Sequence, residues 1–478
     1  MNRPLKKLSI VVILMFVTLM AAVTSVQFFQ APSLNADSRN ARTVYREYGI
    51  DRGPIIVGNT PVAESTPVDS PYNFQRVYAN GPLYAPVTGY FSVVFSSMTG
   101  MERAQNAVLG GSDSSLIRQR LEQLVLGRKP QGGGVLLTLD SQLQELAAKG
   151  LGDRKGAVVA IEPRTGKILA LYSSPSYDPN TLATHSREDA NSAWEQINND
   201  ERKPLINRAA GGELYPPGSV FKLVTAAAML ENGTSPDDTI EAPTTWTPPG
   251  TTVPINNSDG QCGDGSGNVP FRVAFAQSCN TSFAIAGVNL GADALISKAQ
   301  DFGFGDDLSI PLTVRASRFD EPQDTPALAM DAFGQRDVLA SPMAMAMITA
   351  AIANNGVLMK PYLVDQVVSA NLEELVTTSP EVYSSPLSPE NAQALTSMMK
   401  DAVASGTGTA AQLANVDVAG KTGTAEIGGG AEPHAWFVGF DATEEPRVAV
   451  AVLVENGGYG GVTAAPIAKS IIEAAVNK

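Results

Sequence analysis

Cysteine and histidine are nearly missing from this chain, which has two of each in 478 residues. Two cysteines exclude a disulfide-rich scaffold. With His185 and His434 as the only histidines, neither a Cys/His zinc site nor a His-Glu-x-x-His helix can be assembled. Positive charge is also in deficit: lysine plus arginine is 34 against 48 acids, a balance of −14. No general nucleic-acid binder is built that way, because displacing counterions needs a basic face. Wholesale disorder is excluded as well, since 44% of the residues are apolar. The length fits about two or three domains. No internal repeat or low-complexity segment is visible.

What is present begins near the N-terminus. Leu8 to Phe29 reads LSIVVILMFVTLMAAVTSVQFF, 22 residues whose only strongly polar member is Gln27. As a helix it spans about 30 Å, the thickness of a bilayer's hydrocarbon core. Arg3, Lys6 and Lys7 precede it, so residues 1–7 are expected in the cytoplasm, 8–29 across the membrane as a single-pass signal-anchor, and the remainder outside. A cleaved signal peptide is the alternative, although cleavable apolar cores run only about 7–15 residues. Either way the bulk of the chain is exported. Cys262 and Cys279 then sit in an oxidising space, where a disulfide and two buried thiols are both open readings.

Residues 30–150 read as a pedestal or linker domain. They are polar and proline-dotted up to about 75, with a strand-like piece at Arg52–Val57 and a helix pattern over Ser114–Leu126. Gln131-Gly132-Gly133-Gly134 interrupts the chain, Val135–Leu139 reads as a strand, and Ser141 with Gln144 predicts a capping box opening a helix to Leu151. Residues 151–478 have a steadier texture. Ala157–Ile161 and Lys167–Tyr172 predict a hairpin through Pro163-Arg164-Thr165-Gly166, with apolar helices at Phe221–Leu230 and Met343–Ala353. Strands at Ala435–Phe440 and Val448–Val454 and a helix at Pro466–Val476 close the chain. The expected class is α+β: one antiparallel sheet made from both ends of this region, flanked by helices.

A serine followed three residues later by lysine brings a hydroxyl and an amine to one helical face. An uncharged lysine there can take the serine proton, provided burial or a second cation lowers its proton affinity. Two such pairs occur, Ser219/Lys222 and Ser397/Lys400. Ser219 follows Tyr215-Pro216-Pro217-Gly218, at the positive end of a helix that is apolar nearly all round and stops at Asn232-Gly233. Ser397/Lys400 lies on a more polar helix, where the lysine reads as solvated. Downstream, Lys421-Thr422-Gly423-Thr424 lies in a strand pattern. There a cation and hydroxyls face a carboxylate, and Gly423 lets an extended substrate lie against the strand. Arg164-Thr165-Gly166 matches loosely but falls in a turn. Ser-x-Asn occurs at Ser33, Ser38, Ser266, Ser278 and Ser369. Only Ser278-Cys279-Asn280 is set in a helical pattern, with Val273–Ala276 leading in and Thr281–Ala284 continuing.

Ser219-x-x-Lys222, Ser278-x-Asn280 and Lys421-Thr422-Gly423 match, in order, the three motifs of penicillin-binding proteins and serine β-lactamases. The phrases around them, Gly156–Tyr172, Tyr215–Lys222 and Ala435–Phe440, resemble the transpeptidase domain of class B penicillin-binding proteins. Arg52-Gly53 and Leu83–Gly111 resemble the A-type members of actinobacteria. The resemblance implies a peptidoglycan D,D-transpeptidase that needs no metal and no cofactor. In it Ser219 is the nucleophile, Lys222 the general base, Ser278 a proton relay and Asn280 a positioning group. Lys421, Thr422 and Thr424 bind the substrate carboxylate, and the N–H groups of Ser219 and Thr424 form the oxyanion hole. Implied partners are stem peptides ending in D-alanyl-D-alanine, an acceptor amine, β-lactams and a polytopic glycan polymerase. Cys279 is expected to point away from the cleft toward Cys262, and His434 to be a surface or edge-strand residue. Two other readings stand beside this one. A hydrolase of the same fold would release the acyl group to water. A sensor would need a larger cytoplasmic module than seven residues.

Overall fold

The computed structural model describes residues 3–26, 49–258 and 260–478. Ser33, Ser38 and the last residues of the predicted membrane run lie outside them. Helix α1 (Arg3–Thr24) starts before Leu8 because arginine and lysine propagate a helix as readily as leucine. Its stretch Lys6–Thr24 is long and apolar enough to cross a membrane, and none of it is buried against the rest of the chain.

Strands β1 (Ile55–Val57), β2 (Thr60–Pro67) and β3 (Phe74–Tyr78) form a meander, followed later by helix α2 (Ile117–Val125) and strand β4 (Gly134–Leu137). β4 runs parallel to β1, with Ile55 opposite Val135. The glycines before β4 have a steric reason. A Cβ on Gly132 would lie 1.7 Å from the Leu109 carbonyl oxygen, and one on Gly53 would lie 1.9 Å from that of Gly133. Beneath this crossing Glu102 is fully buried between two guanidinium groups, with Arg52 Nε at 2.5 Å and Arg76 Nε at 2.6 Å.

Helix α3 (Ser141–Leu151) follows, then strands β5 (Gly156–Ile161) and β6 (Ile168–Ser174). The predicted capping box is not formed. Asp140, one residue earlier and extended, caps the helix by accepting from Leu143 N, since a carboxylate suits a helix N-terminus. Gln144 is instead buried and ties the short helix Gly81–Thr88 to β6: its amide donates to the Leu83 and Leu171 carbonyls and accepts from Leu171 N.

The middle of the chain supplies helices α4 (Lys222–Glu231), α5 (Phe271–Ala276), α6 (Asn280–Leu290) and α7 (Pro342–Ala353). Strands β7 (Val364–Val368) and β8 (Glu374–Thr377), helix α8 (Pro389–Ala404), strands β9 (Val418–Ala425), β10 (His434–Asp441) and β11 (Ala449–Val454), and helix α9 (Ala465–Val476) complete it. The sheet order is β9-β10-β11-β5-β6, all antiparallel, so both ends of this region build one sheet, as expected. Its strands are buried on both faces. Ala157, Val159 and Ile161 pack with α4 and α7, while Val158 and Ala160 pack with α3 and α9, the alternation a pleated strand imposes.

The pedestal sheet is not contiguous in sequence. Its order is β8-β7-β4-β1-β2-β3, so a hairpin from residues 364–377 completes it from beyond position 151. Conversely α3, which ends at 151, packs against the five-stranded sheet beside α9.

Candidate active site

Ser219 sits in a single 3-10 turn, Gly218–Phe221, that feeds directly into α4. The segment before it is pinned from several sides. Tyr215 exchanges backbone hydrogen bonds with Ala340, and its hydroxyl donates to Glu455 Oε1 at 2.9 Å, which Arg208 also holds at 2.6 Å. Trp436 Nε1 donates to the Pro216 carbonyl at 3.0 Å. Gly218 has φ +55°, and a Cβ there would meet the Thr424 carbonyl oxygen at 2.8 Å. Only glycine lets the turn press on β9 in that conformation. Gly218 N–H donates to the Gly334 carbonyl at 2.8 Å. Ser219 is half-buried, and its hydroxyl has no hydrogen bond among the described residues.

Lys222 opens α4 and is fully buried. Its Nζ donates to the Ser278 carbonyl at 2.7 Å and Asn280 Oδ1 at 2.8 Å, and lies 3.2 Å from Ser278 Oγ. Among the described residues its Nζ makes no hydrogen bond to Ser219; the amine is held by the second motif. Burial, then the charge of Lys421, drives its pKa well below the usual lysine range. Phe283 and Phe333 rings lie 5.3 and 5.8 Å from the Nζ, an apolar wall that keeps water away.

The second motif is not one continuous helix. α5 stops at Ala276, Ser278 turns with φ +60°, and α6 begins at Asn280. That break aims both Ser278 and Asn280 at Lys222. Cys279 points the other way and forms a disulfide with Cys262, Cα atoms 5.7 Å apart, inside a small apolar cluster with Ala242, Val269 and Ala274. Asn280 is held from behind by Nδ2 donating to the Asn256 carbonyl at 3.1 Å.

β9 brings the third motif alongside. Lys421 is fully buried; its Nζ donates to Ser278 Oγ at 2.8 Å and to the Thr422 carbonyl at 3.0 Å. Burial pushes its pKa down to about 7. Thr422 Oγ1 is 2.5 Å from Thr407 Oγ1, which fixes that hydroxyl. A Cβ on Gly423 would press on the Pro217 carbonyl oxygen and Trp436 Cβ, both at 3.0 Å. Thr424 is half-buried beside the Ser219 turn.

Thus Lys222, Ser278, Asn280 and Lys421 form one hydrogen-bonded group, with the Ser219 turn and Thr422–Thr424 packed against it. The alternatives fall elsewhere. Lys400 pairs with Asp417 at 2.6 Å in solvent. Arg164 pairs with exposed Glu445 in its turn, and Ser369 caps its own loop by accepting from Asn371 and Glu373 N–H. His434 corrects the expectation: it is buried at the start of β10, an interior strand. Its Nδ1 accepts from Asn456 N, and Tyr215 lies edge-on at 5.5 Å. Sequence reasoning missed Phe283, Phe333, Thr407 and Gly334. Phe283 stands one turn after Asn280, a spacing that could have revealed it; the others arrive from distant loops and carry no local signal.

Comparison with known proteins agrees with this geometry. Residues 156–473 match the family described as penicillin binding protein transpeptidase domain, and 52–135 match the penicillin binding protein A dimerisation domain. The chain is 42% identical over its whole length to the whole peptidoglycan D,D-transpeptidase PbpA of Mycolicibacterium smegmatis. It is 43% identical to 99% of the protein of that name from Mycobacterium tuberculosis, again over its whole length. Among solved structures, penicillin-binding protein A from M. tuberculosis as a ceftriaxone acyl-enzyme complex superposes with TM-score 0.87 at 42% identity, covering 90% of this chain and 100% of that one. With the three motifs gathered in one site and a family match over most of its length, the chain belongs to the penicillin-binding protein transpeptidase family.

Proposed function

We propose that this protein is a membrane-anchored peptidoglycan D,D-transpeptidase. The observation that carries the reading is the convergence of two buried lysines on one serine hydroxyl beside the Ser219 turn. A neutral Lys222 has two N–H bonds and one lone pair. The Ser278 and Asn280 oxygens take the N–H bonds, and the lone pair is left to receive a proton. Ser219 Oγ attacks the carbonyl between two terminal D-alanines, and its proton passes to Lys222. The N–H groups of Ser219 and Thr424 hold the oxyanion, where one donor is worth about 3 kcal/mol. The C–N bond breaks, Ser278 relays the proton to the departing D-alanine, and the acyl group remains as an ester on Ser219. Lys421, Thr422 and Thr424 bind the terminal carboxylate, while Gly423, without a side chain, lets the Ser219 segment lie against β9. An amine of a neighbouring stem takes the acyl group and completes the cross-link. A β-lactam follows the same path and stays on the serine.

In this reading residues 1–7 are cytoplasmic, 8–29 cross the membrane once, 30–150 form the pedestal, and 151–478 catalyse outside the cell. The partner in this reading is a polytopic glycan polymerase, engaged through the anchor and pedestal in wall growth or division. Incubating the full chain with penicillin and mapping the adduct by mass spectrometry tests the proposal. A long-lived adduct on the Ser219 peptide, lost in Ser219→Ala, is expected. An adduct on Ser397 would overturn the assignment, and rapid release of the adduct would mark a hydrolase.

A further inference from the structure

Helix α2 is built inside out. Its protein-facing side carries two glutamines, with Leu116 buried just ahead of it. Gln119 donates to the Gln131 carbonyl at 2.9 Å and accepts from Ala370 N at 2.8 Å, and Gln123 accepts from Gln131 N at 3.4 Å. Its solvent side carries Ile117, Leu121, Leu124 and Val125, a single stripe at helical spacing, with Leu124 78% and Val125 84% exposed. At about 100° per residue, Arg118 and Arg120 border the stripe on opposite sides. Arg128 and Lys129 follow, and Glu122 is the only acid between 117 and 129. This is a basic, apolar surface on a chain whose overall balance is −14.

Its location singles out one occupant. The chain arriving from α1 is anchored at Asp51, whose carboxylate accepts from Gln131 Nε2 at 2.7 Å and whose carbonyl accepts from Gly132 N at 2.9 Å. Gln131 is the residue that both α2 glutamines grip. Helix α2 therefore lies beside the point where the tether enters, only the 22 residues 27–48 from the described end of the N-terminal segment. We infer that α2 docks on an anionic lipid surface. The Leu124 stripe enters the headgroup boundary, and Arg118 and Arg120 reach the phosphates. A second copy of the chain fits the stripe less well, because it would set arginines against arginines. Attachment through α1 makes the contact intramolecular, so a short helix suffices.

The inference rests on the reading of α1 as a membrane anchor, and the test separates the two. Leu124→Cys in the full chain is labelled with a fluorophore, leaving the native cysteines in their disulfide. The protein is then reconstituted in phosphatidylglycerol or phosphatidylcholine vesicles carrying a nitroxide-labelled lipid. Quenching in the anionic vesicles is expected. The docked fraction should fall about tenfold or more with Arg118→Glu plus Arg120→Glu, while penicillin labelling is retained. A chain that floats with the vesicles but is not quenched overturns the docking and leaves the anchor standing. A chain that does not float overturns the anchor and this inference with it. Cross-linking through residue 124 between copies, without quenching by lipid, assigns the stripe to a second copy and also overturns it.

Discussion

Two of the clusters of buried charge among the described residues are built on opposite plans. In the pedestal, Glu102 is gripped by Arg52 and Arg76, and Tyr78 donates to it at 3.2 Å. Arg76 also donates to the carbonyls of Arg52 and Gly53. At the catalytic site, Lys222 and Lys421 converge on Ser278 Oγ, and among the described residues neither has a carboxylate partner. Burial alone would raise Glu102, but Arg76 and Arg52 outweigh it and its pKa is lowered. Burial lowers both lysines with no acid to oppose it. A buried charge with its counter-ion is a brace. Two buried lysines without one favour the neutral amine that the proposed mechanism uses, and welcome an arriving carboxylate.

The comparison breaks first at Lys222. Lys222→Met should lower the rate of penicillin acylation by roughly 10²–10⁴-fold, the usual share of a general base, without loss of stability in urea unfolding. Unimpaired acylation would remove Lys222 from the chemistry. Glu102→Gln should do the reverse. Stranding two guanidinium groups destabilises by about 3–5 kcal/mol, while the folded fraction acylates at the parent rate. A slowed folded fraction would show that the pedestal acts on the site.

The smallest effects are those of pH, and they sharpen the contrast. Glu102, lowered in the fold, binds fewer protons there than in the unfolded chain, so its contribution is complete at neutral pH and is lost as acid titrates it. Lys421, lowered to about 7, also binds fewer protons folded than unfolded, but over an alkaline window. Stability should therefore rise from about pH 7 toward the ordinary lysine pKa near 10.4. Denaturant midpoints across pH measure both limbs. Lys421→Arg should make the alkaline limb shallower without removing it, because arginine stays charged in both states while Lys222 is also lowered in the fold.

Legibility in the sequence followed the range of each interaction. Ser219 and Lys222 are three residues apart, so the pair could be read directly, and the apolar runs of β5, β10 and β11 announced strands. The helix cap was misassigned between adjacent residues, Asp140 and Ser141, where composition alone does not choose. His434 was misplaced because nothing local shows that β11 covers β10. The acceptors of Lys222 come from a turn some 56 positions away, at Ser278. The pairing of β7 with β4 spans more than two hundred residues, a distance over which no periodicity carries information.

That last pairing decides how the molecule bears load. A pull on the tether enters at Asp51 and runs into β1, then crosses the ladder to β4 and from β4 to β7. At Tyr362, just before β7, the backbone accepts from Ile168 N, so tension reaches the edge of the catalytic sheet through hydrogen bonds as well as along the chain. The two halves are stitched as a lap joint rather than strung as beads. Force applied at Asp51 would be shared sideways across strands before it reaches the serine turn.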